Sequence, residues 1–229
     1  MVYITGDVHG DEKRLSKRAL SFMKEGDTLI ICGDFGFLWD GSASERRVLK
    51  RLGERNYNIC FLDGVHENFA LFDEYVVSEV FSGRAQRLTG NVIHLLRGEV
   101  YEIEGRTYFV MGGGDPDPEL SDGRDEKNNP CSPSKQELLR GVNNLEKRSM
   151  RVDCILTHSP PSAVKDFLLP QSAGESETSA LSSYLAALST SCEYKKWFFG
   201  SLHLDRHISV RQTAVFEDIL RADTATAAG

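Results

Sequence analysis

The sequence predicts a layered α/β domain with parallel strands, and three features carry that expectation. Short apolar runs rich in β-formers recur along the chain, amphipathic helical stretches separate the first of them, and glycine-containing polar clusters follow the early runs. Val2–Thr5, Thr28–Cys32 and Asn58–Leu62 are brief and apolar, as strands covered on both faces are. Between them, Glu12–Lys24 and Ser44–Glu54 show helical periodicity, which completes a β-α-β-α-β opening.

From Val92 the pattern changes. Val92–Leu96, Glu99–Ile103 and Arg106–Met111 read as closely spaced strands, with Glu104-Gly105 as the tight turn joining the last two. Asp115 to Ser134 is polar and rich in Pro, Gly and Asp, so it reads as a long loop. Helix is expected again at Ser134–Lys147, after Pro133, and at Ala180–Leu188. Asp153–Thr157, Lys196–Gly200, Ile208–Val210 and Ala214–Phe216 read as strands. There is no internal repeat and no dividing linker. The reading is one domain over residues 1–221, with a fraying, disordered tail over 222–229.

Composition narrows the function classes. The 229 residues are 40% hydrophobic and 27% charged, with a net charge of −7. That is a soluble globular balance, and its acidity argues against non-specific nucleic-acid binding. The basic groups Lys13, Arg14, Lys17, Arg18 and Arg46, Arg47, Lys50, Arg51 have helical spacing and read as solvated helix faces. No segment reaches the ~18 apolar residues of a membrane span, and the N-terminus lacks a signal peptide's basic and apolar regions. Cys32, Cys60, Cys131, Cys154 and Cys192 are scattered, with no C-x-x-C pair, so a reducing cytoplasm is the expected compartment.

The polar clusters are rich in metal-capable residues. Asp7 and His9 follow the first apolar run, Asp34 the second, and Asp63 and His66 the third. His158 follows Asp153–Thr157, and His203 follows Lys196–Gly200. In open α/β sheets, ligands bind beyond the carboxyl ends of the strands, where such clusters converge. Carboxylate and neutral imidazole together suit manganese, iron or zinc.

The order of these clusters resembles the calcineurin-like metallophosphoesterases, whose motifs read G-D-x-H, G-D, G-N-H-[ED], T-H-x-P and G-H-x-H. The resemblance covers essentially the whole chain and is nearest to small bacterial members. It implies a four-layer α-β-β-α sandwich carrying a two-metal site. Carried over position by position, Asp7, His9 and His203 would bind the first metal and Asp34 would bridge both. His158 would bind the second, and His66 would contact the phosphate and protonate the leaving group. Two metals about 3.5–4 Å apart activate a water and neutralise the phosphoryl oxygens.

The chain departs from the family pattern twice. Val65 stands where the family has the asparagine of G-N-H-E, and Ser201 stands where it has the first histidine of G-H-x-H. Both missing groups are ligands of the second metal, whereas the first keeps Asp7, His9, Asp34 and His203. Asp115, Asp117 and Asp125 read as a solvated acidic loop, with a rescue ligand from that loop as the alternative. Arg97 reads as a surface or core-edge residue, with a phosphate contact as the alternative, and Trp39 and Tyr57 read as packing, with a base-stacking platform as the alternative. The expectation is a metal-dependent phosphoesterase acting on phosphate-ester small molecules or phosphorylated substrates, with one firmly bound metal and a weak or absent second. The alternative is a catalytically degenerate binding or scaffold protein on the same fold. In the enzyme reading His158 is a second-metal ligand or a phosphate contact.

Overall fold

The computed structural model describes residues 1–115, 129–168 and 179–228. In chain order the strands are β1 (Val2–Thr5), β2 (Thr28–Cys32), β3 (Asn58–Leu62), β4 (Val77–Val80), β5 (Gly83–Thr89), β6 (Val92–Leu95) and β7 (Glu99–Ile103). They continue with β8 (Arg106–Met111), β9 (Cys154–Thr157), β10 (Lys196–Phe199), β11 (Arg206–His207), β12 (Gln212–Ala214) and β13 (Leu220–Arg221). The helices are α1 (Ala43–Gly53), α2 (Phe69–Phe72), α3 (Lys135–Glu146), α4 (Ser162–Leu168) and α5 (Ala180–Ser191).

Two sheets form the middle of the molecule, ordered β13-β1-β2-β3-β6-β5-β4 and β11-β12-β10-β9-β8-β7. β1, β2, β3 and β6 run parallel in the first sheet, and β8, β9, β10 and β12 run parallel in the second. Three apolar layers result. Ile4, Ile30, Leu62 and Ile93 meet Tyr101, Val110, Leu156 and Phe198 between the sheets. On the outer face of the first sheet, Leu29, Ile31 and Phe61 pack with Leu49 and Leu52 of α1. On the outer face of the second, Phe109, Ile155 and Trp197 pack with Leu145 of α3 and Leu181 and Leu185 of α5. The architecture is therefore the four-layer α-β-β-α sandwich. Covered on both faces, β2 is buried along its whole length, which is why it reads as a continuous apolar run.

Local sequence explains the boundaries. α1 starts where the Ser42 hydroxyl accepts the Glu45 N–H, and α3 starts with a reciprocal capping box between Ser134 and Glu137. The β7–β8 hairpin turns at Glu104 and Gly105, both left-handed at φ 53° and 69°, the geometry of a two-residue primed turn.

Three expectations need correction, and two strands were not expected at all. Glu12–Lys24 is a chain of turns rather than a helix. Its backbone bonds mostly span three residues, as from Arg14 to Asp11 and Met23 to Leu20, and the Ser16 hydroxyl takes the Ala19 N–H. Leu15, Leu20 and Met23 are buried all the same, so the apolar spacing reported burial and not helix. Residues 222–228 do not fray. β13 pairs with β1, Ala222 and Ala225 are buried, and Ala228 donates to the Ile219 carbonyl. The expected strand at Ile208–Val210 is a turn, because the Ser209 hydroxyl accepts from Arg211 and Gln212. β4 and β5 were hidden by their polar residues; β4 is an edge strand with mostly exposed side chains.

Asp117 and Asp125 lie outside the described residues. Among the described residues no helix is long and apolar enough to cross a membrane.

Candidate metal centre

The parallel strands present their carboxyl ends along one edge, and the loops leaving β1, β2, β3, β9 and β10 meet there. Asp7, His9, Asp34 and His203 each offer a ligand atom, and those atoms all lie within 4.8 Å of one another. His9 Nε2 and His203 Nε2 are 3.0 Å apart, and His9 Nε2 is 3.8 Å from Asp34 Oδ2. Asp7 and Asp34 are buried while both imidazoles are exposed, so the cluster is closed beneath and open to solvent above.

Backbone conformation at these positions is unusual. Asp7, His9, Asp34, Ser201 and His203 all take left-handed φ values between 36° and 61°. Each costs of order 1–2 kcal/mol for a residue with a Cβ, though Asp and His tolerate the region better than most. Residues held this way cluster where a site fixes its own geometry. Glycines clear the remaining space. A Cβ on Gly33 would lie 2.0 Å from His158 Nδ1, and one on Gly64 would lie 2.0 Å from Asp34 Oδ1.

Backbone amides aim the carboxylates. Val65 and His66 each donate to Asp34 Oδ1 at 2.9 Å, and His66 Nδ1 lies 2.8 Å from Asp34 Oδ2. The Ser201 N–H approaches both Asp7 oxygens, at 3.1 and 3.0 Å. The positions that lack their expected side-chain ligands thus still anchor carboxylates through the main chain. Both side chains are half-buried at the rim.

His158 is fully buried. Its Nδ1 lies 3.2 Å from the Cys32 carbonyl, which only an N–H can satisfy, so Nε2 carries a lone pair. Among the described residues that Nε2 has no hydrogen-bond partner, and it sits 3.9 Å from Asp34 Oδ1. A buried, orphaned acceptor beside a carboxylate is costly unless a cation joins them.

The charges point the same way. Burial, reinforced by Asp34, pushes Asp7 up to about 8 despite the Ser201 amide. Burial would raise Asp34 as well, but His158 and His66 outweigh it and hold that carboxyl below its ordinary value. Burial lowers both His9 and His158, leaving them neutral, which is the form that ligates metal. The donor set, the orphaned nitrogen and the uncompensated carboxylate fit a divalent transition metal. Asp7, His9, Asp34 and His203 would hold it.

Several supporting residues escaped sequence reasoning. Arg14, read as part of a solvated face, is half-buried; it donates to the Asp7 carbonyl at 2.8 Å and also to the Phe216 carbonyl. Phe216 stacks on His203 with centroids 4.8 Å apart. Asp205 accepts the Phe216 N–H at 2.7 Å, and its place two residues after His203 is the one local signal of that role. Arg97 is buried against Asp63 at 2.8 and 2.5 Å, and His94 reaches the same carboxylate at 3.2 Å. Arg97 is therefore a buried ion-pair partner braced behind the Asp63–His66 loop. His207 bonds Thr213 on β12, and Asp115 is outside the metal-capable cluster.

No curated protein matches the sequence. Among solved structures the chain is similar to the phosphopantetheinyl hydrolase of Mycobacterium tuberculosis, at 14% identity and a TM-score of 0.48, covering 94% of this chain and 89% of that one. The calcineurin-like phosphoesterase family matches residues 1–204, nearly the whole domain that carries the metal-capable cluster, and the chain belongs to that family.

Proposed function

We propose that the chain is a metal-dependent phosphoesterase working from one complete metal half-site, with an impaired second. The observation that carries this reading is the convergence of Asp7, His9, Asp34 and His203 within 4.8 Å. Manganese, iron or zinc bound there supplies positive charge to the phosphoryl oxygens and lowers the pKa of a water. Asp34 orients that half-site while its Oδ2 accepts a hydrogen bond from His66 Nδ1–H. With Nδ1 turned to Asp34, His66 Nε2 faces outward, where the ring is partly exposed, in place to act as general acid to the leaving oxygen.

We infer that His158 is a second-metal ligand and not a phosphate contact. Its free Nε2 is an acceptor, and a phosphate oxygen offers it no proton. With Asp34 it supplies only two side-chain donors, short of the four that hold a structural metal firmly. The five buried thiols suit the reducing cytoplasm expected from their spacing.

The test is turnover of phenyl phosphate and of phenethyl phosphate with added manganese, in the parent and in His66→Ala. The variant is expected to lose about 10²–10⁴-fold on the poor alkoxide leaving group and much less on the phenolate. Equal losses would reduce His66 to binding or packing. A folded, metal-loaded parent that hydrolyses neither ester would overturn the enzyme reading in favour of a scaffold.

A further inference from the structure

Beside the metal centre lies a cleft of about 660 Å³, with His9 and His66 on its inner wall. Phe37, Trp39 and Val48 contribute its apolar lining. Trp39 was expected to be packing, yet it is 56% exposed, whereas Tyr57 is buried. The Trp39 main chain is nonetheless held firmly. Its backbone N–H donates to Glu45 Oε1 at 2.5 Å, and its carbonyl accepts from Asn68 Nδ2 at 2.6 Å. Glu45 belongs to α1, and Asn68 lies two residues beyond His66. The backbone that carries the indole is therefore tied to both the helix and the loop of the proposed general acid.

The charge of the cleft is one-sided. Glu12, Asp40 and Glu45 line it, and among the described residues no Lys or Arg does. Glu12 is paired with the Arg51 guanidinium at 2.5 Å. Glu45 accepts the N–H groups of Trp39, Asp40 and Gly41, and Asp40 accepts that of Ser42. At the start of α1 the Ser42 hydroxyl takes the Glu45 N–H. A second phosphate would meet three carboxylates in this cleft. A flat uncharged ring would meet the exposed Trp39 indole.

Building on the phosphoesterase reading above, we propose that this cleft is the leaving-group subsite and selects phosphate esters whose leaving group is an aromatic ring without further anionic charge. The phosphoryl group sits at the metal centre, and the ring extends past His66 onto Trp39. Nucleoside diphosphates and other esters with a second phosphate are disfavoured.

Zinc-loaded protein titrated with phenethylphosphonate and with cyclohexylethylphosphonate tests the idea, because neither compound can be hydrolysed. The indole N–H signals are followed by NMR. Trp197 serves as internal reference, being buried with its Nε1 bonded to Thr157. The Trp39 signal should move and the Trp197 signal should stay. The aromatic phosphonate should bind roughly two- to twelvefold more tightly than the saturated one, the range of an aromatic pair beyond simple burial. Trp39→Ala should bring that ratio close to one, and Trp39→Phe should keep part of it. A carboxylate on the phenethyl ring should weaken binding. Equal affinities, an unmoved Trp39 signal, or tighter binding of the carboxylated ring would overturn the proposal. Turnover without aromatic preference removes the subsite and leaves the phosphoesterase reading standing. Aromatic-selective binding without turnover does the reverse.

Discussion

On the His9 side of the centre, two imidazoles and two carboxylates converge within 4.8 Å, whereas on the His158 side one imidazole faces Asp34 across 3.9 Å. The two sides share Asp34, with the Val65 and His66 amides that anchor it, and lie along the same edge of the sheets. Val65 and Ser201 contribute to that scaffold through their N–H groups, to Asp34 and Asp7 respectively. A main-chain role tolerates many side chains, while a ligand role needs a lone pair that valine lacks. One half-site can therefore lose its side-chain donors while the other keeps its geometry.

The sharpest way to break this comparison is to restore the missing donors. Purified parent should hold about one tightly bound metal per chain, by elemental analysis after exhaustive dialysis. Val65→Asn with Ser201→His should add a second, tightening that site by about 10²–10⁴-fold, since even residues behind the ligands are worth about 10–100-fold each. The pair should exceed the sum of the single changes, because both act on one ion. Two equivalents in the parent, or a folded double variant still at one, would break the proposed asymmetry.

A second prediction addresses the bracing of the His66 loop. Burial would raise the Asp63 carboxyl, but Arg97 and His94 outweigh it and hold it well below the usual range. Arg97→Ala strands a buried carboxylate, at a cost of about 3–5 kcal/mol by thermal or urea melt at neutral pH. The pH dependence has a definite sign. A depressed carboxyl contributes stability that is fully present above its unfolded value near 3.8 and is lost as pH falls toward the folded value. The parent should lose stability steeply below pH ~4, and Arg97→Ala should lose less over that interval. Matching acid profiles would mean that the ion pair contributes little.

The smallest effect concerns Ser201 alone. Its N–H anchors Asp7 from a left-handed backbone at φ 61°. Ser201→Gly keeps that N–H and relieves the strain, so a gain of up to about 1 kcal/mol in stability is expected, with first-metal affinity little changed. A large loss of first-metal binding would show that the hydroxyl, and not the amide, serves the site.

Much of this was legible in the chain. β1, β2 and β3 match their apolar runs residue for residue, because a strand covered on both faces reads as an unbroken run, and β7 and β8 match because the Glu104-Gly105 turn fixes the ends they share. The candidate ligands were legible because each follows such a strand. Arg14 was not, because its partner Phe216 is 202 positions away and the intervening turns imitate helical spacing. Trp39 was read as packing because the sequence shows that a position is aromatic, not whether anything covers it.

By itself the sequence determined β1, β2, β3, β7 and β8, the metal-capable residues and the two departures at Val65 and Ser201, since all of these are local in the chain. Only the tertiary structure decided which nitrogen of His158 is left without a partner, which amides aim Asp7 and Asp34, and why the last residues fold back on β1. Those outcomes depend on groups brought together from distant segments, such as the Ser201 N–H and Asp7, separated by 194 positions. Burial then sets what each buried polar group requires, because a donor or acceptor out of reach of water must find its partner within the fold.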